Sequence, residues 1–202
     1  MNPIYVCQED FNPKDEYPVF DPDSVPAKLY VSPINDEHYD VETQQILIHF
    51  IISQNRFPVH LTVELFSGVS DELKTSFQKQ AIDHSITNEQ TGRTNTAVFR
   101  AILENPDAVT FAITKTFWIA CANQFYVLSC PDSLSYSKVK STGWFGKEKQ
   151  ILRPYFTTSS HVSFIVVWHD GQGFNLYTSE EKFATSENLA SYFPSDTLIE
   201  FG

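Results

Sequence analysis

The residues best suited to recognition chemistry fall in one short run. Between 138 and 153 the chain carries Lys138, Lys140, Lys147, Lys149 and Arg153 against a single acid, Glu148. Inside that run lies Gly143-Trp144-Phe145-Gly146, an aromatic pair between two glycines. The whole chain has a formal charge of −11, so the run is a basic island on an acidic protein. Lysines pair with carboxylate or phosphate, and a tryptophan is the rigid anchor enriched at binding hot spots. Lys138, Lys140, Trp144, Phe145, Lys147, Lys149 and Arg153 therefore form a candidate binding surface. An acidic protein segment, an RNA strand or a phosphoinositide head group would each fit it. So would the acidic arm of a second copy. The competing expectation is that Trp144 and Phe145 fold into the core while the lysines stay in water.

A second constellation centres on His161. Ser160-His161-Val162-Ser163 opens a run rich in β-branched and aromatic residues, and a hairpin partner returns through Asn175. Papain-like cysteine hydrolases share this layout. In them a histidine opens a strand and an Asp or Asn on a neighbouring strand orients it. The nucleophile sits upstream at a helix N-terminus, where the dipole lowers the thiol pKa. A helix is expected upstream here, over Asn95 to Glu104. Its Ala97-Val98-Phe99-Arg100-Ala101 resembles the nucleophile helix of the ovarian-tumour (OTU) deubiquitinases through Phe-Arg-Ala. The resemblance is confined to that stretch. It implies a hydrolase scaffold with His161 as base and Asn175 as orienting residue. The nucleophile position falls on Ala97, which has no thiol, so the implied protein is a pseudoenzyme.

Other chemistry-bearing residues have plainer readings. With a hairpin expected around residues 54–58, His49 and His60 would face each other, with Glu64 on the same side. Two imidazoles and a carboxylate bind zinc only if a further ligand converges. A solvated or helix-covered sheet face is the simpler account. Acid pairs such as Asp36-Glu37 and Glu180-Glu181 suit loops and helix starts. Gly171-Gln172-Gly173 is no phosphate loop, because no helix with the required Lys and Ser/Thr follows. No CxxC, HExxH, GxSxG or GxGxxG occurs, and no cofactor or metal is expected.

Composition bounds the rest. A chain of 202 residues suits one domain with an extended arm and can bury a core without disulfides or metal. Its 17 Phe and 9 Tyr favour strands. The 3 cysteines, Cys7, Cys121 and Cys130, cannot all pair within the chain. No secretory signal opens the sequence. Both points suggest a reducing setting, cytoplasmic or nuclear. No apolar run approaches the roughly 18–20 residues of a membrane span. The acidity argues against a general nucleic-acid binder but leaves room for a local basic site.

Along the chain, residues 1–26 read as an extended acidic arm, with prolines at 3, 13, 18, 22 and 26. Residues 27–202 read as one domain. Strands are expected over 28–31, 45–53, 59–66, 109–120, 125–129, 150–156, 162–168 and 174–177, with a terminal strand near 198–201. Helices are expected from Ser70, over 95–104, and over 180–193 with Thr178 and Glu181 as a capping box. The polar stretch 85–94 reads as a loop. The fold class is α+β: a mostly antiparallel twisted sheet with two to three helices packed on it and an extended N-terminal arm. The function this favours is a non-enzymatic interaction module, an adaptor, complex subunit or effector. Its sites are the basic loop and the arm.

Overall fold

A computed structural model describes residues 3–12, 19–20, 27–34, 37–91, 94–130, 134–142, 148–156 and 163–202. The fold is α+β. In chain order the strands are β1 (Ile4–Glu9), β2 (Val19–Phe20), β3 (Ala27–Pro33), β4 (Val59–Leu65), β5 (His84–Thr91) and β6 (Thr94–Leu103). They continue as β7 (Tyr126–Cys130), β8 (Leu134–Thr142), β9 (Glu148–Phe156), β10 (Ser163–Val167), β11 (Phe174–Thr178) and β12 (Ile199–Phe201). The helices are α1 (Tyr39–Ser53), α2 (Ser70–Lys79), α3 (Pro106–Cys121) and α4 (Ser186–Ala190). Nine strands form one sheet in the order β12-β1-β3-β11-β10-β7-β4-β6-β5, and three form a second, β2-β9-β8. Every neighbouring pair in the large sheet is antiparallel except β1 with β12.

Residues 59–130 make a β-α-β-β-α-β unit, β4-α2-β5-β6-α3-β7, with strand order β7-β4-β6-β5. This is the split β-α-β arrangement. The other five strands extend the sheet beyond β7. Helices α1 to α3 cover one face. Ile46, Leu47 and Phe50 from α1, Leu73 and Phe77 from α2, and Ile113 and Phe117 from α3 share its core. The small sheet lies on the other face. There Leu134 and Phe156 pack against Phe164 and Tyr177, and the rings of Phe156 and Phe164 stack at 3.9 Å.

Four elements differ from expectation. Ile46 to Ile52 belongs to a helix rather than a strand. An apolar run of that length fits either a covered strand or a buried helix. Its buried positions, Ile46, Leu47, Phe50 and Ile51, recur at helical spacing. Val109 to Ala120 is likewise helical. Asn105 caps α3 by accepting from the Ala108 N–H at 2.9 Å, and Pro106 takes the first turn. Asn-Pro here starts a helix instead of ending one. Residues 95–104, expected as a helix, are strand β6, and the polar stretch before them is strand β5. Ala97, Phe99, Ala101 and Leu103 of β6 pack with the helix side, while Val98 is also fully buried.

Other departures are smaller. Ile4–Glu9, placed by sequence in an extended arm, is a strand inside the large sheet. The helix expected over 180–193 is a short 3-10 turn, Glu181–Phe183, followed by α4. The cap of α4 is Thr185, not Thr178, which ends β11. Among the described residues, no helix is long and apolar enough to cross a membrane.

Phe50 holds the helix layer to the sheet. Its ring lies 6.0 Å from Phe174 of β11, 5.7 Å from Phe183 and 5.7 Å from Phe193. Phe50→Ala removes every one of these contacts at a fully buried site, so a loss of about 3–5 kcal/mol is expected. Urea denaturation of the variant beside the parent chain measures it.

Candidate functional site

The basic run is built as a hairpin, β8 paired with β9 from Leu134↔Phe156 to Thr142↔Glu148. Trp144, Phe145 and Lys147 lie outside the described residues. Lys138 and Lys140 sit on β8 with exposed side chains. Lys149 pairs through its backbone with Ser141. Arg153 is half-buried opposite Ser137. Successive residues of a strand face opposite ways. Lys138 and Lys140 therefore share a face with Tyr136, whose partner Pro154 is next to Arg153, so Arg153 faces the other way. Cationic residues that are neighbours in sequence thus present to two sides of the hairpin.

The Tyr136 side meets the large sheet. Its hydroxyl donates to Glu64 Oε1 at 2.9 Å, and the Arg100 guanidinium lies 5.7 Å from its ring centre. Burial pushes the Glu64 carboxyl above the usual range, and the Tyr136 hydrogen bond opposes this in part. On the same face of β4, His60 borders a small depression with His84 and Arg100. His49 is on α1, in the helix layer, so the sheet separates it from His60. The expected facing of these two histidines does not occur, because residues 45–53 are helical. Among the described residues no cluster of three His, Cys, Asp or Glu could hold a metal ion.

The hydrolase-like constellation is placed differently from its expectation. Ala97 lies within β6, paired with Leu65 on one side and Asn88 on the other. A strand interior offers no helix-dipole end to lower a thiol pKa, so the setting implied by the OTU resemblance is absent at position 97. His161 lies outside the described residues. Asn175 is on β11 opposite Val166 and is 2 % exposed. Cys7, Cys121 and Cys130 are free. Burial raises the thiol pKa of Cys121 and of Cys130.

Two polar assemblies were not foreseen. One is a cleft of about 720 Å³ on the face of the large sheet away from the helices. Lys28, Val166, Trp168, His169, Asn175 and Tyr177 line it. At its rim Asn123 Oδ1 accepts from the Asp170 N–H at 2.9 Å and lies 3.1 Å from His169 Nδ1, while Asn123 Nδ2 donates to Asp170 at 2.7 Å. An amide oxygen only accepts, so His169 Nδ1 is the donor in this contact. Both Asn123 and Asp170 have positive φ, at 60° and 56°. Side chains of this kind tolerate that region and signal it weakly in sequence.

The other assembly closes on Glu180. Its N–H donates to Thr178 Oγ1 at 3.0 Å, the Thr178 and Ser163 hydroxyls are 2.7 Å apart, and Ser163 donates to Glu180 Oε1 at 2.5 Å. Arg56 Nη1 meets the same carboxylate at 2.6 Å, and Lys182 stands 3.5 Å from its second oxygen. This ties the α1–β4 connection to the end of the β10–β11 hairpin. The acid pair Glu180-Glu181, read from sequence as solvation and capping, contains a buried carboxylate with a structural partner.

Comparisons with models of protein families, with curated proteins and with solved structures found no match to this chain.

Two predictions arise from these groups. A carboxyl held above its usual pKa keeps its proton more tightly folded than unfolded. The stability it contributes is complete at low pH and is lost as pH rises from about 4.3 through the folded pKa. Glu64→Gln mimics the protonated form, so it should melt with the parent near pH 4 and above it near pH 7. Melting curves across that range decide it. Arg56→Ala strips the main cation from Glu180. Arg56 is 34 % exposed, so the loss is expected at about 1–3 kcal/mol, below the figure for a wholly buried pair. Urea denaturation reads that loss.

Proposed function

We propose that the protein is a non-enzymatic interaction module, an adaptor, complex subunit or effector, that binds an acidic protein segment through the β8–β9 hairpin. The observation that supports this reading is the exposure of Lys138 and Lys140, two residues apart on β8, on a chain of formal charge −11. Opposite charge steers encounter and fixes register more than it adds affinity. Trp144, Phe145 and Lys147 are further contacts in this reading, and Lys149 and Arg153, on the other side of the ladder, serve a partner that wraps the hairpin. The acidic, proline-spaced segment before Ala27 is a second contact. The setting is cytoplasmic or nuclear, where thiols such as those of Cys7, Cys121 and Cys130 persist unpaired.

The test is a charge reversal, Lys138→Glu with Lys140→Glu, against three fluorescent probes: poly-glutamate, an oligouridylate and vesicles containing a phosphoinositide. Poly-glutamate should bind the parent chain, weaken with added salt, and bind the variant at least about tenfold more weakly. Binding of the oligouridylate alone would move the reading to nucleic acid, and binding of the vesicles alone to a membrane surface. Equal binding by parent and variant removes the hairpin as the site.

A further inference from the structure

The cleft beside Trp168 goes beyond the interaction surface, and its floor holds an anomaly. Asn175 is 2 % exposed, and its Oδ1 is buried with no hydrogen-bond partner. A buried carboxamide oxygen without a donor costs free energy that an aliphatic side chain there would not. Along β11, Phe174 and Leu176 pack into the core under the helices. Asn175 and Tyr177 alternate with them and line the cleft on the opposite face. The amide thus borders the cleft of about 720 Å³ on that side.

An aromatic platform stands within reach. The β10–β11 ladder continues past Val166↔Asn175 to a hydrogen bond from Trp168 N–H to the Gly173 carbonyl at 2.8 Å. Trp168 therefore shares a face with Val166 and is the diagonal neighbour of Asn175, about 7–8 Å away between Cα atoms. Gly173 opposite it has no side chain to cover the indole. Its φ is 131°, and an added Cβ would come within 2.5 Å of the Val31 carbonyl oxygen, so this position stays bare. Trp168 is 44 % exposed, with His169 at its edge, ring centres 5.1 Å apart.

Charge narrows the ligand. Among the described residues, the charged side chains lining the cleft are Asp10 and Lys28, one of each sign, and Lys28 is bound to Glu9 at 3.0 Å. His169 Nδ1 is already engaged by Asn123. Nothing there recommends a phosphate or a carboxylate. A carboxamide offers a donor beside an acceptor in one plane, which complements the same pair in reverse on a flat heterocycle. Cavity size suits a small organic molecule. We infer that the cleft binds an uncharged planar heterocycle of the nucleobase class, with Trp168 stacked on its face and Asn175 paired to its edge.

The experiment titrates adenosine, cytidine and uridine into the full chain and follows the indole N–H resonance of Trp168, with methyl glucoside as the non-planar control. At least one nucleoside should saturate that resonance while the glucoside leaves it unmoved. Trp168→Leu and Asn175→Leu should each weaken binding about tenfold or more. Asn175→Leu should also melt at or above the parent, because it removes an unpartnered polar atom. Dissociation constants all weaker than about 10 mM overturn the inference. So does binding by the glucoside alone, or undiminished nucleoside binding in Asn175→Leu. If Asn175→Leu does not fold, Trp168→Leu decides by itself: a tenfold loss supports the inference and retained binding overturns it.

Discussion

The rest of the structure depends on covering β10 and β11 on both faces. All five residues of each strand are buried. On one side Ile165, Val167, Phe174 and Leu176 require the helix layer. On the other, Phe164, Val166 and Tyr177 require a second cover, which the small sheet supplies through Phe156 and Leu134. An antiparallel sheet commonly leaves one face to water. This one does not, and that explains a chain so rich in phenylalanine. It also explains why the carboxylate of Glu180 is so fully engaged, since it closes the open end of that same strand pair.

The two proposed surfaces both border that second cover. The small sheet extends along only part of the non-helical face. Where it lies, the face of β8 that carries Tyr136, Lys138 and Lys140 is turned to the large sheet, and both lysines stay exposed. Beside it Asn175 and Trp168 border the cleft. One surface is convex, charged and suited to a macromolecule. The other is concave, lined by few charges and suited to something small.

The sequence was read well where the pattern had a period of two and clear punctuation. The β10–β11 hairpin, β4, β7 and the short terminal strand were legible from alternation and turn residues, and α2 from its acidic first turn and its apolar stripe. The errors share one physical cause. Ile46 to Ile52 and Val109 to Ala120 are apolar on nearly every side, because α1 and α3 pack between the sheet and each other, and burial on several sides erases periodicity. In β6, Val98 and Phe99 are both fully buried, one on each face, and read as a helical stripe. The basic hairpin was visible as charge. The cleft was not, because its members, Lys28, Asn123 and the hairpin pair Trp168 and Asn175, come from three separate parts of the chain. Asn175 was noticed as an orienting residue on a hairpin partner strand; β11 is that partner, and His161 lies outside the described residues.

The path of the chain between β3 and β4 has a kinetic meaning. Helix α1 carries the backbone across the sheet to a strand separated from β3 by β11, β10 and β7. Two of those intervening strands are supplied by a hairpin more than a hundred residues further along. Until that hairpin arrives, β3 has no neighbour on its inner side, and β7 offers an open edge of unpaired amides and carbonyls. The β4–β7 unit can assemble from nearby sequence, but the sheet is joined only by an insertion between two pieces already made. Pairing of that separation is slow, because the loop must close before any contact rewards it. The hairpin that forms the middle of the finished sheet is therefore the last of its central pieces to be placed, and the interval before it docks is when the chain is most open to pairing with another.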